Sequence, residues 1–170
     1  SGVFILLQTL YLNKRAKDLT VFMPESVSEF KDFLSTLYIF NERFSYKINS
    51  YLYHEDSFPE ISIYPFRNTH LIGYKDIVEK YDLPNKLLSY SFIIKGKERN
   101  LLLSSDIRTA EDIKEKAKGC GVMILDGIHP SYLSVKDLLD ESNIEVYITH
   151  GDYSKLQEKF AELLTTNVRL

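Results

Sequence analysis

The sequence predicts an α/β fold with parallel strand pairing in its second half. Three observations carry this. From Thr109 onward, apolar runs of strand length alternate with helical patterns, as in βαβ units. Leu101–Ser105 and Ile144–Thr149 read as buried strands, and each leads into a residue able to bind a metal, Asp106 and His150. The C-terminal ends of parallel strands share one edge of an open sheet, where ligands bind. At 170 residues, 44% of them hydrophobic, the chain suits one sizeable core and is short for two. A single domain over 1–170 is therefore expected.

The elements follow in order. Val3 to about Arg15 reads as a buried helix, and Leu19–Met23 as a strand stopped by Pro24. Ser26 with Glu29 forms a capping-box pattern. The helix after it repeats Val27, Phe30, Phe33, Leu34, Leu37 and Tyr38 at three- and four-residue spacing. Tyr46–Tyr53 and Ile61–Phe66 read as strands, with His54 in a polar loop between them. Asp76–Tyr81 reads as a helical turn closed near Pro84. Leu88–Ile94 and Asn100–Ser104 form a hairpin with Gly96 at its turn. Thr109 is placed to cap a helix to about Lys118, followed by a strand over Val122–Leu125. Ser134 opens a helix to about Asp140, and Ser154 opens a last one to about Leu164, with Asp152 as its candidate cap. Asn167–Leu170 resembles the start of another strand.

Composition narrows the function classes. A net charge of −3 gives no general attraction for nucleic acid, leaving only a local basic patch open. Lys14, Arg15 and Lys17 make one such small cluster, either a solvated helix end or a phosphate contact. Cys120 is the single cysteine, so no internal disulfide or thiolate cluster forms, and a reducing cytoplasm is the expected setting. The apolar stretch Gly2–Leu10 is too short to span a bilayer and has no basic segment before it, so no membrane partner is expected. Phosphate loops, nucleophile elbows and His-Glu-x-x-His helices are absent from the sequence.

The chemistry-bearing residues gather at strand exits. His70 follows the Ile61–Phe66 run and joins Asp106 and His150 as a donor set suited to zinc, manganese or iron. A carboxylate such as Asp106 can bridge two ions about 3.5–4 Å apart, while each imidazole takes one. Taken singly, a His after a strand is more often a loop or capping residue than a ligand. Asp126, after Val122–Leu125, either orients a ligating imidazole from behind or caps a turn with Gly127. His129 either places a second imidazole beside the site or belongs to a turn before the next helix.

Three stretches resemble the metallo-β-lactamase fold superfamily, nearest its ribonuclease Z-like branch. Ser104-Ser105-Asp106-Ile107-Arg108 is similar to the strand-ending S-G-D-T motif, whose Asp bridges two metals. Val146-Tyr147-Ile148-Thr149-His150-Gly151 is similar to the late L-x-L-T-H motif, whose His binds one metal. His70, ahead of Ser89-Tyr90-Ser91-Phe92, corresponds to the third-motif His. Ser1–Leu7 resembles the helix after the family's H-x-H-x-D-H motif, and Leu19–Pro24 the strand beyond it.

The resemblance implies the C-terminal portion of a four-layer αββα sandwich. It places the H-x-H-x-D-H segment ahead of Ser1, so the chain is expected to be part of a longer protein. It implies two divalent ions, zinc foremost, with Asp106 bridging and His70 and His150 ligating one each. It implies hydrolysis by a metal-bound hydroxide, on a phosphodiester such as RNA or on an ester or lactone, in a protein able to form a homodimer. A degenerate binding member is the alternative from another class. The H-S-T motif and tRNA-gripping arm of ribonuclease Z are missing. Gly73–Pro84 reads as an insertion, and Ser105 and Ile107 replace the motif's Gly and Thr.

Overall fold

The structure, a computed structural model, describes residues 2–53, 62–165 and 167–170. His54, expected on the surface, and Ile61, expected to begin a strand, lie outside the described residues. The chain divides into two compact units, Ser1–His54 and Glu55–Leu170, each considered by itself.

In the first unit, α1 (Gly2–Leu12), β1 (Leu19–Met23), α2 (Val27–Thr36) and β2 (Ile48–Leu52) follow one another. β1 and β2 pair in parallel, Leu19 opposite Ile48 and Met23 opposite Leu52. Parallel neighbours need a crossover, and α2 supplies it. Its Phe30 and Leu34 share a core with Leu7, Ile39, Tyr46 and Ile48. The Tyr46 hydroxyl is buried there and donates to Leu7 O at 2.8 Å. The capping box does not form. Ser26 sits in the left-handed region (φ 58°, ψ 44°), which turns its side chain away from the helix, and it makes no capping bond. Ser28 Oγ instead bonds the Glu29 carboxylate at 2.8 Å.

The second unit holds β3 (Ile63–Asn68), α3 (Lys75–Lys80), β4 (Ser89–Ile94), β5 (Leu101–Leu103), α4 (Lys114–Ala117), β6 (Val122–Asp126), α5 (Tyr132–Asp140), β7 (Glu145–Thr149), α6 (Tyr153–Phe160) and β8 (Val168–Arg169). Its sheet has the order β3-β4-β5-β6-β7-β8. β4 is antiparallel to both β3 and β5, as the expected hairpin requires. From β5 to β8 every pairing is parallel. Two antiparallel steps return β3 to the direction of β5, so β3, β5, β6 and β7 all end at the same edge.

Alternation decides which strand residues enter the core. Leu102, Met123, Leu125, Val146, Ile148 and Val168 are buried and lie on one face, as a two-residue period demands. Ile113 and Ala117, Val135 and Leu138, and Leu156 and Phe160 pack against them from α4, α5 and α6.

Three helices differ from expectation in one particular each. α5 begins at a Ser131 cap, whose side chain accepts from Ser134 N; Ser134 itself lies inside the helix. α6 is capped by Asp152, which accepts from Ser154 N and Lys155 N, and it ends at Phe160 rather than near Leu164. Thr109 does cap, but the following segment tightens into a 3₁₀ turn over Ala110–Asp112 before α4. The bonds Asp112 N to Thr109 O and Ile113 N to Ala110 O carry that tight turn. Among the described residues, no helix is long and apolar enough to cross a membrane.

Candidate metal centre

Four strand ends deliver the polar residues to one place. β3 leads through Asn68 and Thr69 to His70, which opens a 3₁₀ turn over His70–Tyr74. Thr69 is held by Asp112, which accepts from its N–H at 3.1 Å and from its hydroxyl at 2.9 Å. β5 leads to Asp106, β6 ends on Asp126 with His129 just beyond, and β7 runs into His150. Ser105 (φ 52°) and His150 (φ 64°) both adopt left-handed backbone, turning the chain sharply at the exits of β5 and β7. Non-glycine residues pay for that conformation, and such turns recur where side chains must be aimed.

Asp106 stands between two imidazoles. His150 Nδ1 lies 3.2 Å from Asp106 Oδ1, and His70 Nε2 lies 3.9 Å from Asp106 Oδ2. Asp106 thus meets both of the imidazoles expected to act with it. His129 joins them, its ring centroid 4.6 Å from that of His70 and 5.2 Å from that of His150. Ligand atoms of Asp106, Asp126, His129 and His150 all fall within 4.8 Å of one another.

Asp126 is the buried member, 2% exposed. Its Oδ2 lies 2.7 Å from His129 Nδ1 and 3.1 Å from Ile107 N; its Oδ1 lies 2.9 Å from Ile128 N and 3.1 Å from His150 Nδ1. An ionised carboxylate offers about four acceptor positions, and these four groups crowd them together with His129 N, 3.5 Å from Oδ1. Asp126 thus faces Nδ1 of both imidazoles, an arrangement that can orient them. The same oxygens accept from the Ile128 N–H in the turn and lie against both rings. Burial alone pushes the Asp126 carboxyl up, but the bonds from Ile128, His129 and Ile107 outweigh it and hold the group below its usual value. Because the carboxylate only accepts, the His129 contact calls for a proton on Nδ1 and leaves Nε2 as the basic nitrogen, whereas His150 Nδ1 lies between two carboxylates, 3.1 Å from Asp126 and 3.2 Å from Asp106.

A buried polar chain underlies the site, and no sequence pattern announces it. Asn68 Oδ1 accepts from His70 N at 3.1 Å, and Asn68 Nδ2 donates to Ser91 Oγ at 2.9 Å. Ser91 Oγ donates to Ser104 O at 2.6 Å, and Ser104 Oγ accepts from Asp126 N at 2.8 Å. The chain crosses β3, β4, β5 and β6 beneath the residues that leave them. Each link satisfies a polar group that would be costly to bury alone.

Packing is tight where the loops after β6 and β7 meet. A Cβ on Gly127 would lie 2.6 Å from Leu156 Cδ2, 2.8 Å from Ile148 Cγ2 and 3.0 Å from Thr149 O. Gly127→Ala is expected to destabilise the protein by about 1–3 kcal/mol, the usual cost of overpacking. Chemical denaturation measures this, and an unchanged midpoint would show that the loop yields freely. Gly151, after His150, has φ +156° with Leu156 beside it, a second position that favours glycine.

An open cleft of about 400 Å³ adjoins the cluster, lined by His70, Gly73, Tyr74, Arg108 and His129. Among the described residues Arg108 makes no ion pair, so its guanidinium is free to meet an anion.

No known family model and no curated protein sequence matches the chain. Solved structures do. The metallo-β-lactamase fold protein YhfI from Bacillus subtilis superposes with a TM-score of 0.60 at 11% identity, over 99% of this chain and 67% of its own. The isothiocyanate hydrolase from Delia radicum gut bacteria gives a TM-score of 0.60 at 11% identity, over 89% of this chain and 63% of its own. The chain has the metallo-β-lactamase fold and spans about two thirds of these neighbours.

Proposed function

We propose that this chain carries part of the active centre of a metal-dependent hydrolase. One observation carries the reading: the Asp106 carboxylate faces His70 on one oxygen and His150 on the other, while Asp126 holds Nδ1 of His150. The donor set fits a borderline divalent cation such as zinc, with manganese and iron as lesser candidates. Asp106 is the residue proposed to bridge two ions, and His70 and His150 to ligate one each. Ions held there would lower the pKa of water to about 7 and make hydroxide available at neutral pH. The fold neighbours support this reading, because one of them is described as a hydrolase.

The chain's own residues prepare the site. Asp126 fixes the ring orientation of His150 and His129, so little reorganisation is left for the reaction. His129 presents its Nε2 beside the cleft, where it can hold a proton for a leaving group. Arg108 lines the same cleft and matches a phosphate oxygen pair in geometry and charge. That guanidinium favours a phosphodiester, as in RNA and the ribonuclease Z-like branch. The acidic balance of the chain opposes a long polyanion. A small ester or lactone is the second reading, and the cleft of about 400 Å³ has the size of a small-molecule site.

Elemental analysis of the native full-length polypeptide, purified without chelator, should find about two divalent ions per chain. Assays with a bis-aryl phosphodiester and a lactone then separate the two substrate readings. Finding no metal, and none taken up on dialysis against zinc, would overturn the proposal.

A further inference from the structure

Lys159 grips the loop that carries one of the cluster's imidazoles. Its Nζ donates to Gly127 O at 2.8 Å, Ile128 O at 3.1 Å and Pro130 O at 2.8 Å. Three bonds use the full donor capacity of an ammonium group. All three go to the backbone of one short loop, so this cation is spent on shape. Within that loop, His129 is the residue whose carbonyl Lys159 does not take and whose side chain reaches Asp126.

The placement follows from α6. Asp152 caps the helix, and Leu156 and Lys159, three residues apart, share one face. Leu156 packs where Cβ atoms on Gly127 and Gly151 would fall. The same face of α6 therefore supports the loops that carry His129 and His150.

We propose that Lys159 is a positioning residue for His129: by tying down residues 127–130 it keeps the imidazole on Asp126 and facing the centre before any ion arrives. This rests on the reading of the cluster as a metal centre, and its test is separable from that reading. A loop free to move would let water compete for the His129–Asp126 bond, and the ring would have to be ordered at the moment of reaction.

The experiment compares Lys159→Met, Lys159→Gln and Lys159→Arg in the native full-length polypeptide, with Leu138→Ala, a buried core residue of α5, as a control that loosens the core. The first readout is the ring N–H signal of His129 in nitrogen-15 NMR of the metal-free protein. Lys159→Met should broaden or abolish it by exchange with water, Lys159→Arg should restore it, and Leu138→Ala should retain it. Lys159→Gln keeps part of the donor set and should give a partial loss, which decides the matter if the Met variant does not fold. The second readout is zinc affinity by chelator competition. Lys159→Met should keep the parent's zinc affinity, because His129 is placed to hold a proton and not to ligate; a large loss would show that the substitution disturbs the ligands themselves and would count against a role confined to His129. A parental His129 signal in Lys159→Met and Lys159→Gln would overturn the inference, as would equal loss in Leu138→Ala. If the parent protein takes up no zinc, the metal reading fails while the ring signal still decides the role of Lys159.

Discussion

Asp106→Asn is expected to lower metal-dependent hydrolysis by on the order of a thousandfold. The estimate follows from the several kcal/mol that ion-mediated charge stabilisation supplies, at tenfold in rate for each ~1.4 kcal/mol. The amide keeps the size of the carboxylate and loses the charge that draws cations between His70 and His150, whose ring nitrogens lie 3.9 and 3.2 Å from its oxygens. Because Asp106 is exposed at the cleft edge, the fold should survive, with a thermal midpoint close to the parent's. Metal content measured on the same preparation should fall with the rate. Parental turnover in Asp106→Asn would show that this carboxylate is structural.

Asp126→Asn should act on stability as strongly as on activity. The asparagine amide would point donors at two of the four N–H groups that now converge on the carboxylate. Leaving buried donors unpaired costs about 1–3 kcal/mol apiece. A loss near 3 kcal/mol corresponds to a fall in Tm of roughly 10 °C for a chain of this size. The same contacts fix a pH dependence. The folded pKa of Asp126 lies below its unfolded value, near 3.9. Its stabilisation is therefore complete above the unfolded value and is lost as pH falls through the lower folded value. Denaturant titrations of the metal-free protein should show the parent and variant far apart at neutral pH and drawing together in acid. A constant gap across that range would place the stabilisation elsewhere.

Much of the α/β layout was legible because its signals are local. Alternating burial along β6 and β7, Gly96 between two β-rich runs, and Asp152 ahead of α6 each act within a few residues. Local signals also misled. Ser26 has the right neighbours for a cap, but its left-handed backbone turns the hydroxyl away. Ser131, not Ser134, starts α5, because residues three apart in a serine-containing turn read alike until one backbone is seen to be extended.

By itself the sequence determined that apolar runs end in His70, Asp106, Asp126 and His150, and periodicity sufficed to place those residues at strand exits. Tertiary structure alone decided the rest. Which exits share an edge depends on the antiparallel return through β4, a pairing between distant segments. What Asp126 faces depends on groups that come from the β5 exit, its own turn and the β7 exit. The Asn68–Ser91–Ser104 chain and the Lys159 grip are likewise invisible along the sequence. Hydrogen bonds across strands and loops are set by distance in space, which a one-dimensional pattern of polar and apolar residues does not encode.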